Sequence, residues 1–143
     1  MSADPKDWIA VAAIPSLGAS SVKRLWDMGW TPERLLTSSA ADWQQLGLKE
    51  RTRKALSDYQ HKRDSAIALM LEKALQWQRR YDDASILPIT HSDYPALLRE
   101  IYDPPPVIFT RGNLDALNLP QLAIVGSRHA SKTGARNAHE IGR

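Results

Sequence analysis

The stretch "LAIVGSRHASKTGAR", Leu122 to Arg136, decides how the chain is read. From Gly126 to Thr133 it matches the triphosphate-loop pattern G-x-x-x-x-G-K-[ST] at every defined position except one, where Ser131 replaces the second glycine. An apolar run that ends in glycine and turns into a helix would bring backbone N–H groups and a positive helix end to one point, suited to an oxyanion or phosphate. Arg128 and Lys132 would add charge there, and Ser127, Ser131 and Thr133 hydroxyl donors. Ser131 counts against an ATP loop, because the glycine before the lysine lets the backbone wrap the phosphates closely. A dinucleotide fingerprint fits worse, since G-S-R lacks a second glycine two residues on. A purely structural role, with Gly126 and Gly134 only allowing tight turning and helix packing, stays open.

The chain has 143 residues, 43% hydrophobic and 24% charged, enough for one domain of common size or a small domain joined to part of another. A formal charge of +3 permits a polyanionic partner without demanding one. The absence of cysteine excludes disulfides and thiolate metal sites. The N-terminal "MSADPKDW" is unlike a signal peptide, so a cytoplasmic location is expected. Apolar runs fall far short of the roughly 20 residues of a membrane span, and no membrane partner is expected. His61, His91, His129 and His139 have no metal-holding spacing, so neither metal nor cofactor is expected.

Composition changes near residue 81. All five tryptophans lie at or before Trp77, and most prolines at or after Pro88. The first half carries helix punctuation. Asp4 caps a helix with Pro5 at its first position, ending near Ile14; Ser20 or Ser21 caps a second, which Gly29 ends. Thr31-Pro32 starts another, and Ser39 with Asp42 resembles a capping box before a turn at Gly47. Leu48 to about Tyr81 is one long helix or two, with Asp64-Ser65 the plausible break. Trp26, Trp30, Trp43 and Trp77 read as core rather than as base-stacking platforms, and the basic run from Lys49 to Arg63 as a solvated helix face.

The second half reads as strands at "SILPI" (85–89), "VIFT" (107–110) and "LAIV" (122–125), with helical spacing in "YPALLREI" (94–101). The prolines 104–106 form a rigid extended connector. Strand, turn and helix at the end read as the opening of an α/β unit, and a parallel strand would need a crossover that does not follow. The expectation is therefore a truncated piece of a longer protein.

"IPSLGASSVKRLW", Ile14 to Trp26, looks like a helix-hairpin-helix, whose turn could hold a phosphate near Gly18 and Lys23. Ser16 stands where the usual pattern has a further glycine, so a helical bundle using Gly18 only for its turn is preferred.

In order, the hairpin, "SDYPALLREIYDPPPVIFTRGN" (92–113) and "LAIVGSRHASKTG" (122–134) resemble the DNA-processing protein A family, also called DprA or Smf. The resemblance implies a helical, sterile-alpha-motif-like (SAM-like) domain over 1–81, then the beginning of an extended Rossmann-like, parallel-sheet DNA-binding domain over 82–143. It implies a protein without enzymatic activity that binds single-stranded DNA in natural transformation, protects it and helps load the RecA recombinase, with homodimers in the complete protein. Gly126, Ser127 and Arg128 inherit the family's DNA-pocket role; Ser131, Lys132 and Thr133 are added on physical grounds. The rival reading is a nucleotide-binding or nucleotide-hydrolysing Rossmann-type enzyme using the same loop.

Overall fold

The computed structural model describes residues 4–63 and 65–142. Six helices come first: α1 (Pro5–Ala12), α2 (Ala19–Asp27), α3 (Pro32–Thr37), α4 (Ala40–Gln45), α5 (Glu50–Gln60) and α6 (Ala66–Arg80). Strand β1 (Ala84–Pro88), the short helix α7 (Ala96–Arg99) and strand β2 (Val107–Arg111) follow. A 3-10 turn (Leu114–Asn118) and helix α8 (Lys132–Ile141) complete the order. No described helix is long and apolar enough to cross a membrane.

Local chemistry sets most helix ends. The Asp4 side chain accepts the Lys6 N–H at 2.8 Å, and Pro5 opens α1. Thr31 caps α3, and Ser39 with Asp42 forms a reciprocal capping box on α4. Hydrogen bonds from the Ser39 hydroxyl and backbone N–H hold the Asp42 carboxyl below its ordinary range. At the end of α2, Gly29 takes φ 82°, so that its N–H reaches the Trp26 carbonyl and the Trp30 N–H reaches that of Leu25, both at 2.9 Å. Gly47 ends α4 with the same pair of bonds at φ 69°. Two expectations are corrected here. Gly18, not Ser20 or Ser21, is the N-cap of α2, because extended backbone at Gly18 lets the helix begin at Ala19. The first helix ends at Ala12, before Ile14. The long Gly-free segment is two helices; Ser65 caps the second through the Ala68 N–H, and Asp64 lies outside the described residues.

The core forms around α1. Trp8, Ile9, Ala10 and Val11 are all buried, so the central turn of the helix is covered on every side. Leu25 from α2, Leu35 and Leu36 from α3, Trp43 from α4, Leu56 from α5 and Ile67 and Ala74 from α6 belong to the same cluster. The Trp43 indole donates to the Leu35 carbonyl at 2.9 Å, satisfying a polar atom inside the cluster.

β1 and β2 form a two-stranded antiparallel sheet, with Ile86 opposite Phe109 and Pro88 opposite Val107. Ile86 and Val107 join the helical cluster, and the Phe109 ring meets Trp77 of α6 edge-on at 5.4 Å. The connection between the strands folds back on itself. Tyr94 is buried and its hydroxyl donates to the Pro105 carbonyl at 2.8 Å, while the Arg99 guanidinium donates to the carbonyls of Ile89, His91 and Tyr94. The Tyr-Pro and Asp-Pro-Pro signatures thus lock this connection.

The parallel sheet expected over 82–143 is not what the described residues form. β2 returns beside β1 antiparallel, because the segment between them, with α7 its only helix, doubles back instead of crossing over. The expected strand 122–125 is absent. Leu122 and Val125 are 75% and 90% exposed, and no neighbouring strand among the described residues supplies the hydrogen bonds a strand requires. Helical spacing at 94–101 yields only the short α7.

The "PSLG" turn is fixed from outside. The Leu17 N–H donates to the Ile14 carbonyl at 3.3 Å, and Ser16 has φ 63°, the combination a type II turn makes with proline at its second position. Ser16 therefore holds the left-handed backbone that a glycine would take without strain. Buried Thr52 of α5 donates its hydroxyl to the Pro15 carbonyl at 2.9 Å, tying α5 to the turn. Replacing Ser16→Gly should raise stability by about 0.5–1 kcal/mol, the left-handed cost less glycine's added unfolded-state entropy. Thr52→Val should lower it by about 1–2 kcal/mol by leaving the Pro15 carbonyl unsatisfied. Urea midpoints of the full chain check both; an unchanged Thr52→Val midpoint would show that the bond contributes nothing.

Candidate nucleic-acid interface

The residues singled out around Gly126 occupy one continuous exposed segment, an open loop running into α8. Gly126, Ser127 and Arg128 lie in the loop, and Lys132 and Thr133 in the first turn of the helix. The Ser127 hydroxyl oxygen accepts the His129 N–H at 3.1 Å, which curls the loop locally. Ser131, the residue that departs from the triphosphate-loop pattern, is the N-cap of α8. Its Oγ accepts the Gly134 N–H at 3.1 Å. A Cβ at position 134 would sit 3.3 Å from that oxygen, so Gly134 gives the cap room.

With Ser131 serving Gly134, the N–H groups of Lys132 and Thr133 lack intrahelical acceptors, as helix geometry dictates for a first turn. The positive end of the α8 dipole lies at the same place. Arg128 and Lys132 take part in no ion pair among the described residues. Arg136, one turn beyond Lys132 and also exposed, adds a further cation that the motif comparison had passed over. The segment thus combines cations, hydroxyl donors and open amides on an exposed surface. Such a surface can hold an extended anion.

The hairpin residues lie elsewhere. Gly18 caps α2, and Lys23, one turn on, pairs with Asp27 at 2.6 Å. No hydrogen bond or ion pair among the described residues joins α2 to the 126–133 segment.

Sequence reasoning missed a cleft between α2 and the β1–β2 connection. Its volume is about 510 Å³, and Trp8, Trp26, Lys23, His91 and Arg99 are among its walls. Trp26 stacks in tilted fashion on buried Trp8, with ring centroids 5.0 Å apart, while still lining the cleft. Helical spacing had marked Trp26 as core. The signal that could have found the cleft was the cation Lys23 one turn before an aromatic residue on the same short helix.

The family model for DNA recombination-mediator protein A matches residues 85–143, from β1 through the loop and α8. The chain is 50% identical over 48 residues to DNA processing protein DprA of Streptococcus pneumoniae, a match covering 34% of this chain and 17% of that protein. It is 36% identical over 78 residues to Protein Smf of Borreliella burgdorferi, covering 54% of this chain and 24% of that protein. The matched regions thus span no more than about a quarter of these relatives' lengths. No solved structure matches. The family match takes in the Tyr94-Pro95, Asp103-Pro104-Pro105 and Arg111-Gly112-Asn113 signatures together with the Gly126 loop, so residues 85–143 are similar to the DNA recombination-mediator protein A family.

Proposed function

We propose that the chain is a single-stranded DNA-binding module whose primary contact is the segment Gly126–Thr133. The observation that carries this reading is the position of that segment. It lies wholly within the part matched to a DNA-recombination family, and it presents Arg128 and Lys132, unpaired among the described residues, beside the open amides of α8. Arg128 pairs with a phosphate or stacks on a base. The amides of Lys132 and Thr133 hold a neighbouring phosphate, helped by the Ser131 and Thr133 hydroxyl protons. Gly126 and Ser127 shape the loop so that the backbone can approach the strand. No step of this binding requires a cofactor or bond chemistry.

For the complete protein, the family reading adds protection of incoming single strands during natural transformation, assistance in loading RecA, action in the cytoplasm and assembly as a homodimer. Ser131 weakens the rival nucleotide-enzyme reading. Its side chain occupies the position where a triphosphate loop needs bare backbone, and it is engaged in capping α8.

Binding of a fluorescent oligothymidylate and of ATP to the full chain separates the two readings. Arg128→Ala should weaken oligonucleotide binding by about tenfold, in keeping with about 1.5–3 kcal/mol for a charge-assisted hydrogen bond. Affinity should fall with added salt by about 0.7 in log units per phosphate contact per decade. Tight ATP binding without DNA binding, or an Arg128→Ala variant of unchanged DNA affinity, would overturn the proposal.

A further inference from the structure

A second depression lies next to the cleft along α2. This groove, of about 740 Å³, is lined by Ser20, Ser21, Arg24, Glu100 and Tyr102, and it shares Lys23 and Asp27 with the cleft. Each depression carries an aromatic surface. Trp26 lines the cleft, and Tyr102 is 88% exposed in the groove with its ring left to solvent. Accessible aromatic rings interleaved with cations and hydroxyls along adjoining depressions are the chemistry by which proteins follow a single strand without reading its sequence.

We propose that α2 carries a second single-strand track, in which one nucleobase enters the cleft against Trp26, another stacks on Tyr102, and the sugar-phosphate chain between them passes over Lys23 and Arg24. The inference rests on the DNA-binding reading and extends it to a separate surface. The cleft has the volume of a typical small-ligand site, ample for one nucleotide. Arg99 brings a positive charge to its wall in a fixed position, since the carbonyls of Ile89, His91 and Tyr94 hold its guanidinium. The first turn of α2, capped by Gly18 without a side-chain acceptor, turns Ser20 and Ser21 toward the groove. Two carboxylates also line these depressions. Glu100 lies at the far side of the groove, and Asp27 engages Lys23 at 2.6 Å.

The Lys23–Asp27 pair gives the track a distinctive property. Both partners are substantially solvated, so the pair is weak and Lys23 can exchange Asp27 for a phosphate. Removing the Asp27 charge frees Lys23 and removes a repulsion, which should tighten binding where an unrelated surface change would not.

The test measures oligothymidylate affinity of the full chain by fluorescence anisotropy, with Trp26→Leu, Tyr102→Ala, Asp27→Asn and Arg128→Ala compared with the unaltered chain. The track requires Tyr102→Ala and Trp26→Leu each to weaken binding at least about fivefold, the lower end of the cost of losing a stacked base. It requires Asp27→Asn to tighten binding by about two- to fivefold, the range of an exposed ion pair. Because Tyr102 and Asp27 are exposed, their variants keep the test decisive even if Trp26→Leu unfolds the bundle. Weakening by the α2-side variants alone, with Arg128→Ala unchanged, would retain the track and overturn the loop as primary contact. Weakening by Arg128→Ala alone would overturn the track, leave the groove to a protein partner and retain the loop. Absence of any oligonucleotide binding would overturn both.

Discussion

The burial of the central turn of α1 is the constraint from which the rest of the packing follows. Trp8, Ile9, Ala10 and Val11 are consecutive, so their side chains point around the whole helix, yet none is more than 4% exposed. A helix in that position needs cover from every direction. α2, α3, α6 and both strands supply it, which is why Ile86 and Val107 share one apolar cluster with the helices. The short helices would be marginal alone and derive their stability from that shared burial. Single hydrogen bonds then fix the junctions: Trp43 to Leu35, Thr52 to Pro15, and Gln60 to the carbonyls of Leu36 and Ser38 at the end of α3.

The same packing decides what is left open. Trp8 holds Trp26 from beneath, so α2 stands with one aromatic flank inward and its Lys23, Arg24 and Ser20 side outward. The Arg99 guanidinium and the Tyr94 hydroxyl hold the β1–β2 connection as the opposite wall. Beyond β2 the organisation changes. From Leu119 to Ser131 the side chains are exposed, and α8 has no buried residue. Among the described residues, the cations in that region are engaged with neither core nor counter-charge, which suits a surface whose partner is an extended polyanion.

Features written in local chemistry were legible in the sequence. Caps at Asp4, Thr31, Ser39 and Ser65, and left-handed stops at Gly29 and Gly47, depend on a residue and its near neighbours. The triple-proline connector is legible for the same reason. The strand expected at 122–125 is not local in that sense. Its apolar, β-branched residues suit a strand, but a ladder needs a neighbour, and none of the described residues offers one. The antiparallel return of β2 depends on how Tyr94 and Arg99 fold the intervening segment, which no spacing rule shows. At the candidate sites, Gly126 to Thr133 could be singled out because its residue types lie together in the chain. The α2 cleft is signalled only by Lys23 one turn before Trp26, because Trp26 and Arg99 are far apart in sequence, and the periodicity that assigns a tryptophan to a core does not show that part of its ring faces a cavity. Ser131 stands where a triphosphate loop has glycine, and its capping bond to Gly134 gives it a structural role that the motif pattern does not show.

The central claim is that a single DNA strand seats on the loop before α8, and amide hydrogen exchange of the full chain with and without oligothymidylate tests it most directly. The account predicts slowed exchange concentrated at residues 126–134, where the amides are exposed and those of Lys132 and Thr133 lack intrahelical acceptors in the free protein, with ATP at equal concentration producing none. Exchange at 126–134 that stays unchanged while the oligonucleotide is bound, or protection produced there by ATP and not by DNA, would contradict it.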